Sequence, residues 1–176
     1  MKKEIFAIPI FEDTIDLELF KVPPCKDEQI KETWDSKVPT SFDSKLDISE
    51  DAMQHLVNVI ERNLGPEGLI AMNPRIEHIW RNVYKENDYQ DPHIHPVCQW
   101  SFIIYETVRS KTSFLNPSLA VIQEKYGMNC RSFPPDYKPD LGPGSIIIFP
   151  SMLLHFVNSG NIGSTISGNI YMDYGG

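Results

Sequence analysis

The alternation of polar and apolar positions changes rhythm once along the chain. Met53, Leu56, Ile60 and Leu64 recur at three- and four-residue spacing, the pattern of a helix with one apolar face. Asp47 or Ser49 can cap this helix, Glu50 and Asp51 suit its positive first turn, and Gly65-Pro66 stop it. His55 and Asn58 fall off the stripe, so His55 is expected to be a solvated helix residue. Beyond Gly68 the texture is that of strands. IEHIWRNVYK, CQWSFIIYETV, SFLNP, GSIIIFP and STISGNIYMDY are rich in β-branched and aromatic residues, with Gly, Pro, Asn and Asp between them. Near the start, EIFAIPI reads as an apolar edge segment, with Pro9 keeping it off a sheet centre. Lys21 to Asp47 is polar and proline-dotted, a long surface excursion with one helical turn. Helix early and strands late predict a mainly β, α+β domain in which the helix packs on a β-sandwich or barrel.

Composition narrows the classes. A chain of 176 residues with 41% hydrophobic content is expected to form one domain over 1–176 with a sizeable core. Its helix and N-terminal segment fall in 1–68 and its β core in 69–176. A net charge of −8 and the lack of any Lys/Arg cluster argue against nucleic acid. The longest apolar run, Gly144 to Val157, is broken by Pro150, Ser151 and His155 and is too short to span a bilayer. MKKEIFAIPIFED does not read as a signal peptide. Cys25, Cys98 and Cys130 are odd in number and widely spaced, without a CxxC pair, so a cytoplasmic location is expected. Neither a G-x-S-x-G elbow nor a P-loop is present. Cys98 lies in an apolar strand and reads as a small buried hydrophobe rather than a nucleophile.

Candidate chemistry lies in the five histidines. His93 and His95, in DPHIHP, are two apart, and on a strand such residues share a face. Neutral imidazole suits Fe, Zn, Cu and Ni. Alone the pair could as well be two loop histidines bonded to backbone or water. His155 changes this, because it ends the apolar run GPGSIIIFPSMLLH, where a polar ring must find a partner. The sixty-residue separation fits two strands facing each other across a sandwich. The candidate metal ligands are therefore His93, His95 and His155, with Asp91 as a carboxylate behind them. His78 has no second ligand at i±2 and reads as structural. Glu106 is eleven residues past His95, roughly 35 Å along a continuous strand, too far to complete the set.

With these residues in place the sequence resembles a known family. IWRN, PHIHP, FPSMLLHFV and the late TIS strand are similar, in order, to motifs of a family of 2-oxoglutarate/Fe(II) oxygenases of marine bacteria and phages, distantly related to prolyl hydroxylases. FAIPIF resembles the family's first apolar strand. The resemblance implies a double-stranded β-helix (jelly roll) with Fe(II) between its sheets, held by His93, His95 and His155. His95 would take the place of a carboxylate in the wider superfamily, and Asn82 would point toward the pocket. The activity implied is oxidative decarboxylation of 2-oxoglutarate coupled to hydroxylation of a C–H bond in an unidentified prime substrate. Trp100, Phe102 and Ile148 are available as apolar walls. No membrane partner is implied, and exposed strand edges leave room for a homodimer.

One departure is visible. The family usually closes with R-x-S, the arginine pairing with the distal carboxylate of 2-oxoglutarate. Here Thr165-Ile166-Ser167 stand there, and Thr165, Ser167 and Asn169 give an uncharged polar row. Arg109, Lys111 and Arg131 are candidate replacement cations. The departure keeps two other readings open. H93-x-H95-x3-Q99 and Pro150-x4-His155 with Asn158 resemble the cupin motifs, which implies a three-histidine iron dioxygenase without the oxo acid. The third reading is a jelly-roll module without catalytic activity, such as a phage structural protein.

Overall fold

The computed structural model describes residues 7–33, 36–68, 73–119, 124 and 134–173. Arg131, Cys130 and the first three residues of EIFAIPI lie outside the described residues. The strands are β1 (Phe11–Thr14), β2 (Lys31–Thr33), β3 (Ser36–Thr40), β4 (Arg75–Tyr84), β5 (Gln90–His93), β6 (Trp100–Tyr105), β7 (Thr112–Leu115), β8 (Asp136–Tyr137), β9 (Ser145–Pro150), β10 (His155–Val157) and β11 (Gly163–Tyr171). The helix α1 spans Glu50–Leu64. Pairing runs in the order β1-β9-β6-β11-β4-β3-β5-β10-β7-β8, with β2 on β3 and every pair antiparallel. β3 pairs with β4 at Thr40–Asn82 and with β5 at Ser36–Gln90, so it links the strands on either side of it. This is the expected mainly β architecture, a double-stranded β-helix with one helix among the described residues.

Alternation along the central strands sorts the side chains into two layers. Phe102 and Ile104 of β6, Ile146 and Ile148 of β9, and Ile166 and Ile170 of β11 join Leu56, Val59, Ile60 and Leu64 of α1 in the larger core. The opposite faces place Ile103, Tyr105, Ile147 and Phe149 between the sheets, with Phe114 and Leu153. The walls expected from sequence are therefore reassigned. Trp100, Phe102 and Ile148 pack under the helix, and Ile103, Tyr105 and Phe149 occupy the inner face. The period-2 rule gives the two sets; which of them the helix covers depends on contacts no strand encodes alone.

The helix ends are as expected. Ser49 Oγ accepts a bond from the Ala52 amide, satisfying one of the free N–H groups of the first turn. His55 is half-buried rather than fully solvated, its Nε2 accepting the Asp16 amide at 3.2 Å. Asp13 of β1 receives Arg62 Nε at 2.6 Å and Asn63 Nδ2 at 2.7 Å, fastening the end of the helix to the edge strand.

Two local expectations need correction. The N-terminal edge strand begins at Phe11, and residues 7–10 are outside any strand. The polar excursion contains its helical turn, a 3-10 turn at Asp27–Gln29, but also the β2–β3 hairpin. β3 escapes a periodicity reading because it is short and carries Pro39, although Val38 is fully buried. No described helix is long and apolar enough to cross a membrane.

Candidate metal centre

β5 and β10 bring the histidines together. Their antiparallel register sets His155 directly opposite His93. His95 lies just past the end of β5, in a turn pinned by a bond from its amide to the Ser151 carbonyl at 2.9 Å. The rings of His93 and His95 stack at 5.4 Å and 17°, and His155 approaches them at 4.3 and 5.2 Å. No two of the three ligand atoms are more than 4.8 Å apart. His78, read as structural, faces away on β4, where its ring bonds the Phe42 carbonyl and packs against Trp80.

The hydrogen bonds show how each ring is tied to the protein through Nδ1. His93 Nδ1 lies 2.7 Å from the Asp91 carbonyl, and His155 Nδ1 lies 2.9 Å from the Leu153 carbonyl. His95 Nδ1 lies 2.9 Å from both Asn169 Oδ1 and Ser101 Oγ. A carbonyl oxygen can only accept, so each Nδ1 carries a hydrogen, and Nε2 is the ring atom that can turn to a metal. Burial, reinforced by the neighbouring His93 and His95, holds His155 well below the ordinary histidine pKa, and so neutral. Three imidazoles with Nδ1 tied back form a donor set that fits a first-row divalent ion. Such an ion bonds imidazole at about 2.0–2.1 Å. Asp91 serves through its backbone carbonyl, and its exposed carboxylate takes no part in this bond.

A narrow cavity of about 20 Å³ adjoins the histidines. Asn82, Tyr84, Gln90, Tyr105, Thr112, Asn161, Thr165 and Ser167 give it polar walls, and Trp80, Ile103 and Val157 apolar ones. Asn82 Nδ2 bonds Thr165 Oγ1 at 3.3 Å and Ser167 Oγ at 3.2 Å, while its Oδ1 is buried without a partner. Asn169, the third member of the predicted polar row, is on His95 instead of the cavity wall. Sequence reading missed Tyr84, Gln90, Tyr105, Thr112 and Asn161. It also missed Ser101, whose one signal is a hydroxyl inside the apolar run WSFIIY.

No cation lines the cavity among the described residues. Arg109 is on the surface with Asp140 at 2.6 Å, and Lys111 is exposed beside Gly160. Arg81, next to Asn82, points to the other face of β4. There it forms a two-pronged pair with Glu106 at 2.7 and 2.8 Å and bonds the carbonyls of Val22 and Pro23. Glu106 is thus committed away from the histidines. Gln99, the residue of the cupin-like reading, accepts the Met172 amide at 2.8 Å.

Residues 78–167 match the family model described as "Putative 2OG-Fe(II) oxygenase". The chain belongs to this family. Fe(II) and 2-oxoglutarate are the cofactors that go with this oxygenase family, and the histidine cluster agrees with the first. The family match displaces the cupin reading. No curated protein matches the chain in sequence. Among solved structures, a prolyl-4-hydroxylase of Pseudomonas putida is similar with a TM-score of 0.53 at 11% identity, over 94% of both chains. The viral collagen prolyl hydroxylase of Paramecium Bursaria Chlorella virus-1, in its 2OG complex, has a TM-score of 0.50 at 11% identity. That match covers 77% of this chain and 79% of the viral one. At such identity these structures share the fold.

Proposed function

We propose that this oxygenase binds Fe(II) through His93, His95 and His155 and hydroxylates a C–H bond of an organic substrate at the expense of 2-oxoglutarate. The observation that carries the reading is the convergence of three histidine ligand atoms within 4.8 Å beside a cavity with largely polar walls. With iron and the oxo acid bound, the site would supply oxidative decarboxylation and transfer of one oxygen atom to substrate. Three ligands on one side of the ion leave positions for a chelating oxo acid and for O₂.

Asn82, Thr165 and Ser167 would receive the far carboxylate of 2-oxoglutarate. Asn82 gives its Nδ2 hydrogens to Thr165 and Ser167, which orients the two hydroxyls and leaves their own hydrogens to donate to that carboxylate. Neutral donors replace a guanidinium here. All-histidine ligation leaves both positive charges of the ion uncompensated, and that field favours a doubly anionic cosubstrate. The cavity of about 20 Å³ is smaller than a five-carbon oxo acid, so its walls must part on entry.

Anaerobic addition of Fe(II) and then 2-oxoglutarate tests the reading. The expected result is the weak visible charge-transfer band of the chelate, followed by succinate when air is admitted. Iron that binds without either signal would overturn the role of the oxo acid. His155→Ala should abolish stoichiometric Fe(II) binding; unchanged iron content would overturn the three-histidine site.

A further inference from the structure

The three histidines are not held alike. His93 and His155 each give Nδ1–H to a backbone carbonyl two residues earlier, so local chain geometry sets their orientation. His95 lies beyond the end of β5. Its Nδ1 meets two side chains from other strands, Asn169 Oδ1 on β11 and Ser101 Oγ on β6, each at 2.9 Å.

The tautomer follows from the surroundings of the amide. Asn169 turns Oδ1 to both the His95 ring and the Ser101 hydroxyl, and an oxygen that only accepts requires a hydrogen on Nδ1. The Ser101 hydroxyl has acceptors in Asn169 Oδ1 at 3.3 Å and Ser151 Oγ at 2.8 Å. Asn169 is 4% exposed, so water does not compete for this bond.

Resting on the three-histidine reading, we propose that Asn169, supported by Ser101, is the positioning residue for His95. It sets the orientation in which the His95 ring presents Nε2 to the metal. This separates Asn169 from Thr165 and Ser167, its neighbours on the same strand face, which border the cavity.

Co(II) titration of the full chain, followed by its visible spectrum and by chelator competition, tests the proposal without turnover. Asn169→Ala should weaken Co(II) binding by about 10–100-fold, the range for losing a group behind a metal ligand. Asn169→Asp, which keeps the acceptor, should bind at least as tightly as wild type. Ser101→Ala should give a smaller loss than Asn169→Ala. Thermal melts of the three metal-free variants should stay close to wild type, so that misfolding does not mimic the effect. An Asn169→Ala protein with wild-type affinity and spectrum would overturn this proposal alone, as would equal losses in the Ala and Asp variants. Wild-type protein that takes up no Co(II) would overturn the three-histidine site and this proposal with it.

Discussion

The two faces of β11 are equally buried and chemically opposite. Ile166 and Ile170 are 0% exposed beneath α1; Thr165, Ser167 and Asn169, on the other face, are 3, 6 and 4% exposed. Burial therefore does not separate core from site in this molecule. Composition at equal burial does. An isoleucine under the helix gains from leaving water, whereas each buried hydroxyl or amide must recover a desolvation cost through hydrogen bonds. On the inner face those bonds run to Asn82 and His95, so the polar row is organised around the cavity and the histidines.

Substitutions on the outer face should have the larger effect on stability. Ile166→Ala removes a fully buried side chain between helix and sheet, and urea unfolding should show a loss of about 2–5 kcal/mol. The protein that remains folded should keep its metal stoichiometry. Gly168→Ala is next, at about 1–3 kcal/mol, because an added Cβ would run into the Phe102 ring and press on Ile79. Loss of metal binding without loss of stability in either variant would erase the distinction between the faces.

The inner face should respond the other way. Thr165→Val removes one weak acceptor from Asn82, which still has Ser167, so the stability change should be about 1 kcal/mol. Iron content should be unchanged while the affinity of the iron-loaded protein for 2-oxoglutarate falls, as read by calorimetric titration. A stability loss as large as that of Ile166→Ala would make Thr165 a core residue instead.

The part of this contrast that was legible in the sequence is the part encoded locally. Alternation in STISGNIY places Thr165, Ser167 and Asn169 on one face, and the caps of α1 are visible within a few residues of its ends. His93-x-His95 also reads locally, and His155 could be joined to it because an imidazole after GSIIIFP is out of place. The duty of Asn169 was not legible. Its partner His95 is 74 residues away, and nothing in either segment's spacing encodes that bond. The same holds for Arg81 and Glu106, whose pairing depends on which way β4 presents alternate residues. A bulge complicates that reading. The β11 register on β4 skips His78, which has φ of +54°, so the period of two breaks inside the strand.

The smallest expected effect concerns the seam that holds the helix on the outer face. The Asp13 carboxyl is held below its ordinary value of 3.8 first by the hydrogen bond from Arg62; burial opposes this, and the bonds from Asn63 and Thr14 add to it. A carboxyl with a lowered native pKa binds protons less readily in the folded state than in the unfolded one. Its contribution is therefore fully present above the unfolded value and is lost as pH falls through the folded value. Arg62 is half exposed, so solvent screening limits the charge contribution to less than about 1 kcal/mol. Asp13→Asn should lower stability by that small amount near neutral pH, and the gap to wild type should narrow as pH falls past 3.8 and close below the lowered folded value, where wild-type Asp13 is also neutral. A gap that persists unchanged into acid would mean that the shape of the side chain, and not its charge, holds α1 to β1.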